Sequence, residues 1–523
     1  MNFWMTPYPN PGNKSFVLIF TLVGACVLLL ACINFMNLAT ARYGTRAKEV
    51  GMRKVVGARR QDLIKQFIGE SCILAVLSLL IAILLVMLFL PAFNQLAGKE
   101  MSLDFNGNIS LWLGLIGIAL VTGLISGSYP SLFLSSLSPT QVFRFITYLK
   151  AHRGGRLRKL LVIVQFVFTI GLIVYTTVIY SQLHFIQTKD LGYDAQNIIT
   201  FAAYGEFRGD FAATRTELLQ DPRIITACSA FPPSGGVGQP TIQVGWEGKD
   251  PSQEVRFYSD HGDYDFKDTF GLKMAAGRFY SREFPTDLDN FVVNETAVKV
   301  MGYSDPIGKR MSFKGKEGTI IGVVKDYHGR SLHEPIRPLV IESGGGFHVC
   351  VKYHAGTEPE TIAFLEKKWN KYVPGEPFQY GFVDNAIENF YTNERRISKI
   401  FRNFTFLAVF IACLGLFGLA SFMAERRTKE IGIRKVMGAR IWGIILMLSK
   451  EFVKWVLLAN LIAWPVAYLF SRRWLQGFAY RIDLGWEIFA FSAMLALFIA
   501  VLTVSYQAIR AATANPVQSL RYE

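Results

Sequence analysis

The stretch Arg46-Ala-Lys-Glu-Val-Gly-Met-Arg-Lys-Val-Val-Gly-Ala-Arg59 returns 381 positions later as Arg427-Thr-Lys-Glu-Ile-Gly-Ile-Arg-Lys-Val-Met-Gly-Ala-Arg440. The mismatches are conservative or nearly so, and chance does not produce such a match. Each copy follows one long apolar run and precedes two more. Each half also closes alike: Ser128-Tyr129 with Pro139, Gln141 and Arg144 answers Ser505-Tyr506 with Pro516, Gln518 and Arg521. Between Ser128 and Ser505 the offset has fallen to 377, so the copies differ in length by a few residues in between. A unit of three apolar runs is therefore duplicated in this chain.

The runs are long enough to be membrane spans. About 20 apolar residues in a helix cross a hydrocarbon layer of ~30 Å, and seven such segments are read at 15–39, 71–93, 111–134, 160–183, 401–424, 451–470 and 487–509. Half the residues are apolar and mean hydropathy is positive at +0.28. The net charge of +15 sits in short loops. Arg42 to Lys65, Arg144 to Lys159 and Arg426 to Arg440 all fall on one side when the spans are counted off, and short basic loops stay in the cytoplasm. Asn94–Ser110 carries only Lys99, whereas Ser471–Trp486, with Arg472, Arg473 and Arg481, weakens the rule without reversing it. The charge reports orientation, and no base-reading motif speaks for nucleic acid.

Between the two units the composition changes. From 184 to 400 the chain is polar, mixed in charge and punctuated by turns such as Pro232-Pro233-Ser234-Gly235-Gly236. Alternation predicts strands at Asn197–Phe201, Thr241–Trp246, Glu254–Ser259, Gly318–Lys325 and His348–Tyr353. Glu358–Tyr372 reads as a helix opened by a capping box of Thr357 and Glu360, with Ile362, Leu365 and Trp369 on one face. The fold class is thus an α-helical polytopic membrane protein with about seven spans and one α+β extracytoplasmic domain. The divisions expected are a tail at 1–14, a first membrane module at 15–145, a basic cytoplasmic linker at 146–159, a span at 160–183, the outer domain at 184–400 and a second module at 401–523. Cys228 and Cys350 both fall in the outer domain, and their pairing is left open by a separation of 122 positions.

At these residues the chain resembles the permease subunits of the FtsX-like and MacB-type ABC transporter family. The segment Ala31-Cys-Ile-Asn-Phe-Met-Asn-Leu-Ala-Thr-Ala-Arg42, running into Lys48-Glu49 and Gly57-Ala58-Arg59, is similar to that family's core module, and Ala424 to Arg440 is its second copy. Gly277-Arg278-Phe279, Val293-Asn294-Glu295, Asp305-Pro306-Ile307-Gly308, Ile320–Asp326 and Ser331-Leu332-His333-Glu334-Pro335 are similar to the family's periplasmic core domain. The resemblance implies a bacterial inner-membrane permease with its large domain in the periplasm. It implies a separate cytoplasmic ATPase that uses ATP and magnesium, with no cofactor on this chain, and a second permease copy and periplasmic partners beside membrane lipid. Long members of the family have eight spans and two outer domains; the first of each is missing here, which sets a truncated permease among the readings.

The family's ATPase-docking elements map onto Lys48, Glu49, Gly51, Arg53, Lys54, Gly57 and Arg59, and onto Lys429, Glu430, Gly432, Arg434, Lys435, Gly438 and Arg440. The residues agree with that role. Glu49 and Arg53, like Glu430 and Arg434, stand i,i+4 with the acid first, the favourable order. Gly51 and Gly432 fall in mid-helix, where glycine costs about 0.5–1 kcal/mol relative to alanine. Gly57 and Gly438 fall where a helix cap is expected. Anchoring the topology explains basic residues, but not the same order of glycines, acid and bases kept twice.

Other signals carry less. Gly302 to Arg310 resembles a phosphate loop only superficially, with one residue too many between its glycines and no Ser or Thr after Lys309. Asp326, His328, His333 and Glu334 match no standard metal-ligand spacing, and no local triad of catalytic residues is found; no catalytic residue is assigned. Gly123 and Gly127 form a GxxxG that serves either ordinary packing or a dedicated helix interface. Span interiors hold almost no ionisable residue, which disfavours an ion-coupled carrier. A membrane sensor or scaffold without an ATPase is the main rival to the transporter reading.

Overall fold

In a membrane a long apolar run satisfies its backbone only as a helix or a closed barrel, and the described residues include seven helices long and apolar enough to span. The structure, a computed structural model, describes residues 13–41, 43–97, 100–103, 108–136, 154–233 and 240–513. Residues 1–12 of the tail, Arg42, Lys99, residues 146–153 of the linker and Ser234, Gly235 and Gly236 lie outside the described residues. So do Pro139, Gln141, Arg144, Pro516, Gln518 and Arg521, together with the side chains of Lys48 and Lys429.

The first module consists of α1 (Asn13–Ala41), a short α2 (Tyr43–Val55), α3 (Arg60–Ala97) and α4 (Ile109–Ser136). The fourth span, α5 (Gly154–Thr188), leads into the extramembrane domain. The helices overrun the apolar segments read from sequence. In α3 the amphipathic turns from Arg60 to Glu70 continue the helix beyond its apolar stretch.

Domain and membrane part form separate compact units. The domain unit contains residues 183–394 together with 475–482, which the sequence reading leaves inside the second membrane module. Its strands are β1 (Ile198–Ala202), β2 (Ile224–Ala230), β3 (Val244–Trp246), β4 (Tyr258–Gly262), β5 (Met274–Gly277), β6 (Phe291–Asn294), β7 (Arg310–Phe313), β8 (Lys316–Val324), β9 (Leu339–Ser343), β10 (His348–Tyr353) and β11 (Tyr380–Phe382). They lie in the order β11-β1-β10-β2-β4-β9-β6-β8-β7-β3, with β5 on β8; β4/β9 and β6/β8 are parallel and the remaining pairs antiparallel. Helices α6 (Glu206–Gly209), α7 (Phe211–Leu218), α8 (Phe266–Thr269), α9 (Glu295–Met301), α10 (Glu358–Tyr372) and α11 (Val383–Phe390) pack around it. At one end Leu218, Leu365 and Trp369 cover Phe201, Ala227 and Val351. At the other Ala297 and Met301 cover Val293, Ile320 and Val340.

Of the strands expected from alternation, β10 is as read, β1 and β8 lie within a residue or two, and β3 keeps only its last three residues. The stretch Glu254–Ser259 reaches strand only at its end, where β4 begins. Helix α10 has the expected bounds and buried face, but the capping box does not form. The Thr357 hydroxyl donates to the His354 carbonyl instead, and no side chain caps the helix. Cys228 and Cys350 stand directly opposite in the β2/β10 register, both fully buried and both thiols. Three of the stretches likened to the periplasmic core domain carry hydrogen bonds that hold the domain's elements together. Asn294 caps α9 through Ala297 N–H and holds Leu339 N–H, Asp326 accepts from the Thr296 N–H and hydroxyl, and Arg278 pairs with buried Asp287 at 2.5 Å.

The second module consists of α12 (Thr392–Arg426), a short α13 (Thr428–Val436), α14 (Ile441–Leu475) and α15 (Trp486–Thr513). The two modules meet at α1 and α12. Val27 and Leu30 share a hydrophobic cluster with Ala408 and Ile411, their partners at the 381-residue offset, so residues equivalent in the repeat pack together. Glycines let the helices close. A Cβ on Gly415 would lie 2.8 Å from Asn34 Oδ1, and one on Gly418 would collide with Leu38. The Gly123/Gly127 pair has a plain partner in its own module: a Cβ at Gly123 would sit 2.8 Å from the Cα of Cys72 on α3.

Candidate functional site

The duplicated stretch folds as α2 and α13, two short helices each set between one span and the next. On both, the charge pair closes as its spacing requires. Arg53 meets Glu49 at 2.8 Å, and Arg434 meets Glu430 at the same distance. Both helices end on a glycine in the left-handed region, Gly57 at φ 102° and Gly438 at φ 86°. The N–H groups after the turn then donate back, Ala58 to the Arg53 carbonyl and Ala439 to the Arg434 carbonyl. These are the caps that the sequence calls for.

The repetition extends to burial. Position by position, residues 50–57 and 431–438 show the same classes. Val50 with Gly51, and Ile431 with Gly432, are buried. Ile431 packs on Ile444, Ile445 and Leu448 of α14 and on Ala508 of α15. Lys54 donates to the Ser135 carbonyl at the end of α4 at 2.5 Å, and burial, then the charge of Arg60, lowers its pKa. Arg59 and Arg440 are exposed.

Sequence reasoning named the charges and glycines but missed the apolar side chains. Met52, Val55 and Val56, and their counterparts Ile433, Val436 and Met437, face outward; Val56 is 84% exposed and Met437 81%. A helix with one buried apolar face has no packing reason to show a second one to water. The signal was legible: these positions stay apolar in both copies.

A second feature concerns residues 475–482, which link α14 to α15 and belong to the domain unit. Ala479 N–H and Tyr480 N–H donate to the carbonyls of His333 and Leu332, and Ile336 N–H donates to the Tyr480 hydroxyl oxygen. Phe478 stacks on the His333 ring at 4.0 Å. Leu332 N–H donates to the Tyr391 hydroxyl oxygen at 2.7 Å. The His333 ring lies between two acceptors, with Nδ1 3.0 Å from the Gly477 carbonyl and Nε2 3.3 Å from Glu394. Satisfying both requires two N–H donors, which is the imidazolium. Burial opposes that charge, but Glu394 and Gly477 outweigh it and the His333 pKa is raised. His328, edge-on to Tyr480, goes the other way: burial, with Lys189 next, pushes it down to about 4. The four residues weighed as metal ligands therefore serve separately, Asp326 on α9, His328 and His333 against this loop, and Glu334 on Arg330.

A model of the FtsX-like permease C-terminal family matches residues 21–139 and 403–516. The chain is 29% identical over 136 residues to the macrolide export ATP-binding/permease protein MacB of Bdellovibrio bacteriovorus, a stretch covering 26% of this chain and 20% of that protein. It is 32% identical over 117 residues to the pyoverdine export ATP-binding/permease protein PvdT of Pseudomonas syringae pv. tomato, covering 22% of this chain and 17% of that protein. The matched stretch spans about a fifth of the length of these curated relatives. Among solved structures, the periplasmic region of MacB from Actinobacillus actinomycetemcomitans aligns with a TM-score of 0.28 at 17% identity, over 39% of this chain and 96% of that one.

Proposed function

We propose that this chain, which carries two FtsX-like permease modules, works as the membrane subunit of an ABC transporter of the bacterial inner membrane. In this reading α2 and α13 each dock one cytoplasmic ATPase subunit. ATP and magnesium are consumed there, and the chain itself hydrolyses nothing. The observation that carries the reading is the doubled surface, with the same buried positions, the same ion pair and an exposed apolar triplet at matching positions, all at a fixed offset. Two equal sites suit two equal partners. Ring closure of the partners would press on α13, whose Ile431 bears on α14. Helix α14 runs into residues 475–482, which are hydrogen-bonded into the domain, so a push at one end has a covalent and hydrogen-bonded route to the other. The outcome would be movement of the periplasmic domain, for export, extrusion or mechanical signalling.

The test is co-purification of an ATPase from native membranes in mild detergent. Met437→Asp and Val56→Asp change exposed residues, so stability should stay within about ±0.5 kcal/mol while the ATPase is lost. Exchanging the pair as Glu430→Arg with Arg434→Glu keeps an exposed i,i+4 ion pair in the less favourable order, a change of at most about 0.5 kcal/mol, so loss of the partner there also reports docking. If the unaltered chain brings down no ATPase, the sensor or scaffold reading replaces this one.

A further inference from the structure

The second module carries cations where the positive-inside pattern places none. Arg396, Lys399 and Arg402 stand in the first turns of α12, and Arg472 and Arg473 close α14, at the helix ends that adjoin the outer domain in the chain. Along α12, Arg402 and Arg426 are 24 residues apart, and along α14, Lys450 and Arg473 are 23 apart. Each separation is roughly 35 Å of helix, enough to cross the ~30 Å hydrocarbon layer. The outer cations therefore lie at head-group level, opposite the basic cytoplasmic loops. Lys399, Arg402, Arg472 and Arg473 are exposed, and among the described residues no ion pair holds them. Helix geometry sets their direction. Lys399 and Arg402 continue the exposed stripe of Phe406, Phe410 and Leu414 at spacings of three and four, which is one face of α12. Arg473 continues Leu458, Ile462, Val466 and Leu469 on α14 in the same way. An exposed apolar face of a span meets lipid, so the cations at its end meet headgroups. The two ends lie together, since Tyr175 of α5 takes the Phe401 ring at 5.0 Å and the Trp474 ring at 6.2 Å, the residues next to Arg402 and Arg473. The repeat supplies a contrast. At the 381 offset Lys399 and Arg402 become Leu18 and Thr21, and the end of α3 from Leu90 to Ala97 holds no charge. The dipole at a helix C-terminus accounts for Arg472 and Arg473, but not for cations near the N-terminus of α12.

We propose that this belt binds the phosphate of an anionic phospholipid, of the phosphatidylglycerol or cardiolipin type, in the leaflet on the domain's side. Only the choice of leaflet rests on the reading that the domain lies outside the membrane. The stripes select a phospholipid over a soluble anion: an acyl chain can lie along Phe406 and Phe410 while the phosphate meets Arg402. Arginine sets two parallel N–H donors on a phosphate, and Lys399, one turn away, adds a point charge. A zwitterionic headgroup carries its own ammonium beside the phosphate and gains less from the same cations.

The experiment places the full chain in phosphatidylcholine nanodiscs doped with phosphatidylglycerol that bears a diazirine at its headgroup. A parallel sample carries phosphatidylcholine labelled in the same way, and labelled residues are mapped by mass spectrometry. Phosphatidylglycerol should mark 399–406 and 466–474 about fivefold more than phosphatidylcholine, a factor equivalent to ~1 kcal/mol. At 18–25 of α1 the two lipids should label alike. Lys399→Gln with Arg402→Gln should abolish the preference on α12, and Arg472→Gln with Arg473→Gln that on α14. Charge removal on two different helices keeps the result readable if one variant misfolds. Lys454→Gln, exposed at the other end of α14, should leave both preferences level. Equal labelling by the two lipids would overturn the proposal, as would an equal loss in Lys454→Gln, which would report bulk surface charge. Release of the labelled lipid by millimolar glycerol phosphate would also overturn it, because the belt would then take a soluble anion.

Discussion

The two membrane modules share a sequence pattern and a short charged helix, yet they solve the packing of their long spans differently. In the first, α4 meets α3 through Gly123 and Gly127, and a Cβ at Gly123 would fall 2.8 Å from a backbone atom. In the second, the 377-offset positions are Ala500 and Val504, both fully buried with side chains of their own. Helix α3 buries none of its most apolar stretch, whereas α14 buries a third. Taking the 381 offset along α3, Ser78 is exposed where Ala459 is buried. The connecting loops differ too. In the first module Asn94, near the end of α3, exchanges hydrogen bonds with Met101 of the following loop, and in the second residues 475–482 are bonded into the domain. A duplicated sequence fixes what is local to each copy; what each copy packs against is decided by its neighbours.

That comparison breaks most readily at Gly123. Gly123→Leu should cost about 3 kcal/mol, the upper end of overpacking, because the obstacle is backbone. The thermal midpoint in mild detergent should fall clearly, and an unchanged midpoint would remove the glycine-mediated crossing. A smaller contrast is expected along α14 and α3. Ala459→Phe should cost about 2 kcal/mol by overpacking, while Ser78→Phe should stay within about ±0.5 kcal/mol; equal effects in the same assay would show that the two helices are covered alike. The smallest effect concerns the loop. His333 has a raised pKa, so its contribution is complete below the ordinary value of about 6.5 and is lost as pH rises through the folded value. Glu394 and Glu334 are the charges that favour its protonated form. Hydrogen exchange at the Ala479 and Tyr480 amides should therefore be slower at mildly acid pH than at pH 8 after correction for intrinsic rates. His333→Gln should flatten that difference, and a slope that survives the substitution would assign it elsewhere.

Much of the fold was legible because its signals are local. A run of 20 apolar residues, a basic loop and a glycine cap each act within a few turns of chain, so all seven spans and the ends of α2 and α13 could be read directly. Helix α10 was legible for the same reason, since Leu365 and Trp369 repeat at its period. Strands β6 and β9 were missed because the runs Phe291-Val292-Val293 and Leu339-Val340-Ile341 are buried continuously, and alternation is absent there. The Thr357 capping box failed because a nearer acceptor, the His354 carbonyl, competed for the hydroxyl. On α2 and α13, charges and glycines were read from chemistry, while the exposed apolar triplet needed burial to be noticed.

The sequence by itself determined the number of spans, the duplication, the change to a polar domain between the units and the two short helices of the repeated stretch. Tertiary structure alone decided that Gly123 faces Cys72, that His333 clasps the loop after α14, and that α5 packs against α12 and α15. The reason is physical. A membrane helix that is apolar on every side carries no pattern saying which face meets which neighbour, so partners separated by hundreds of residues are chosen only when the helices pack.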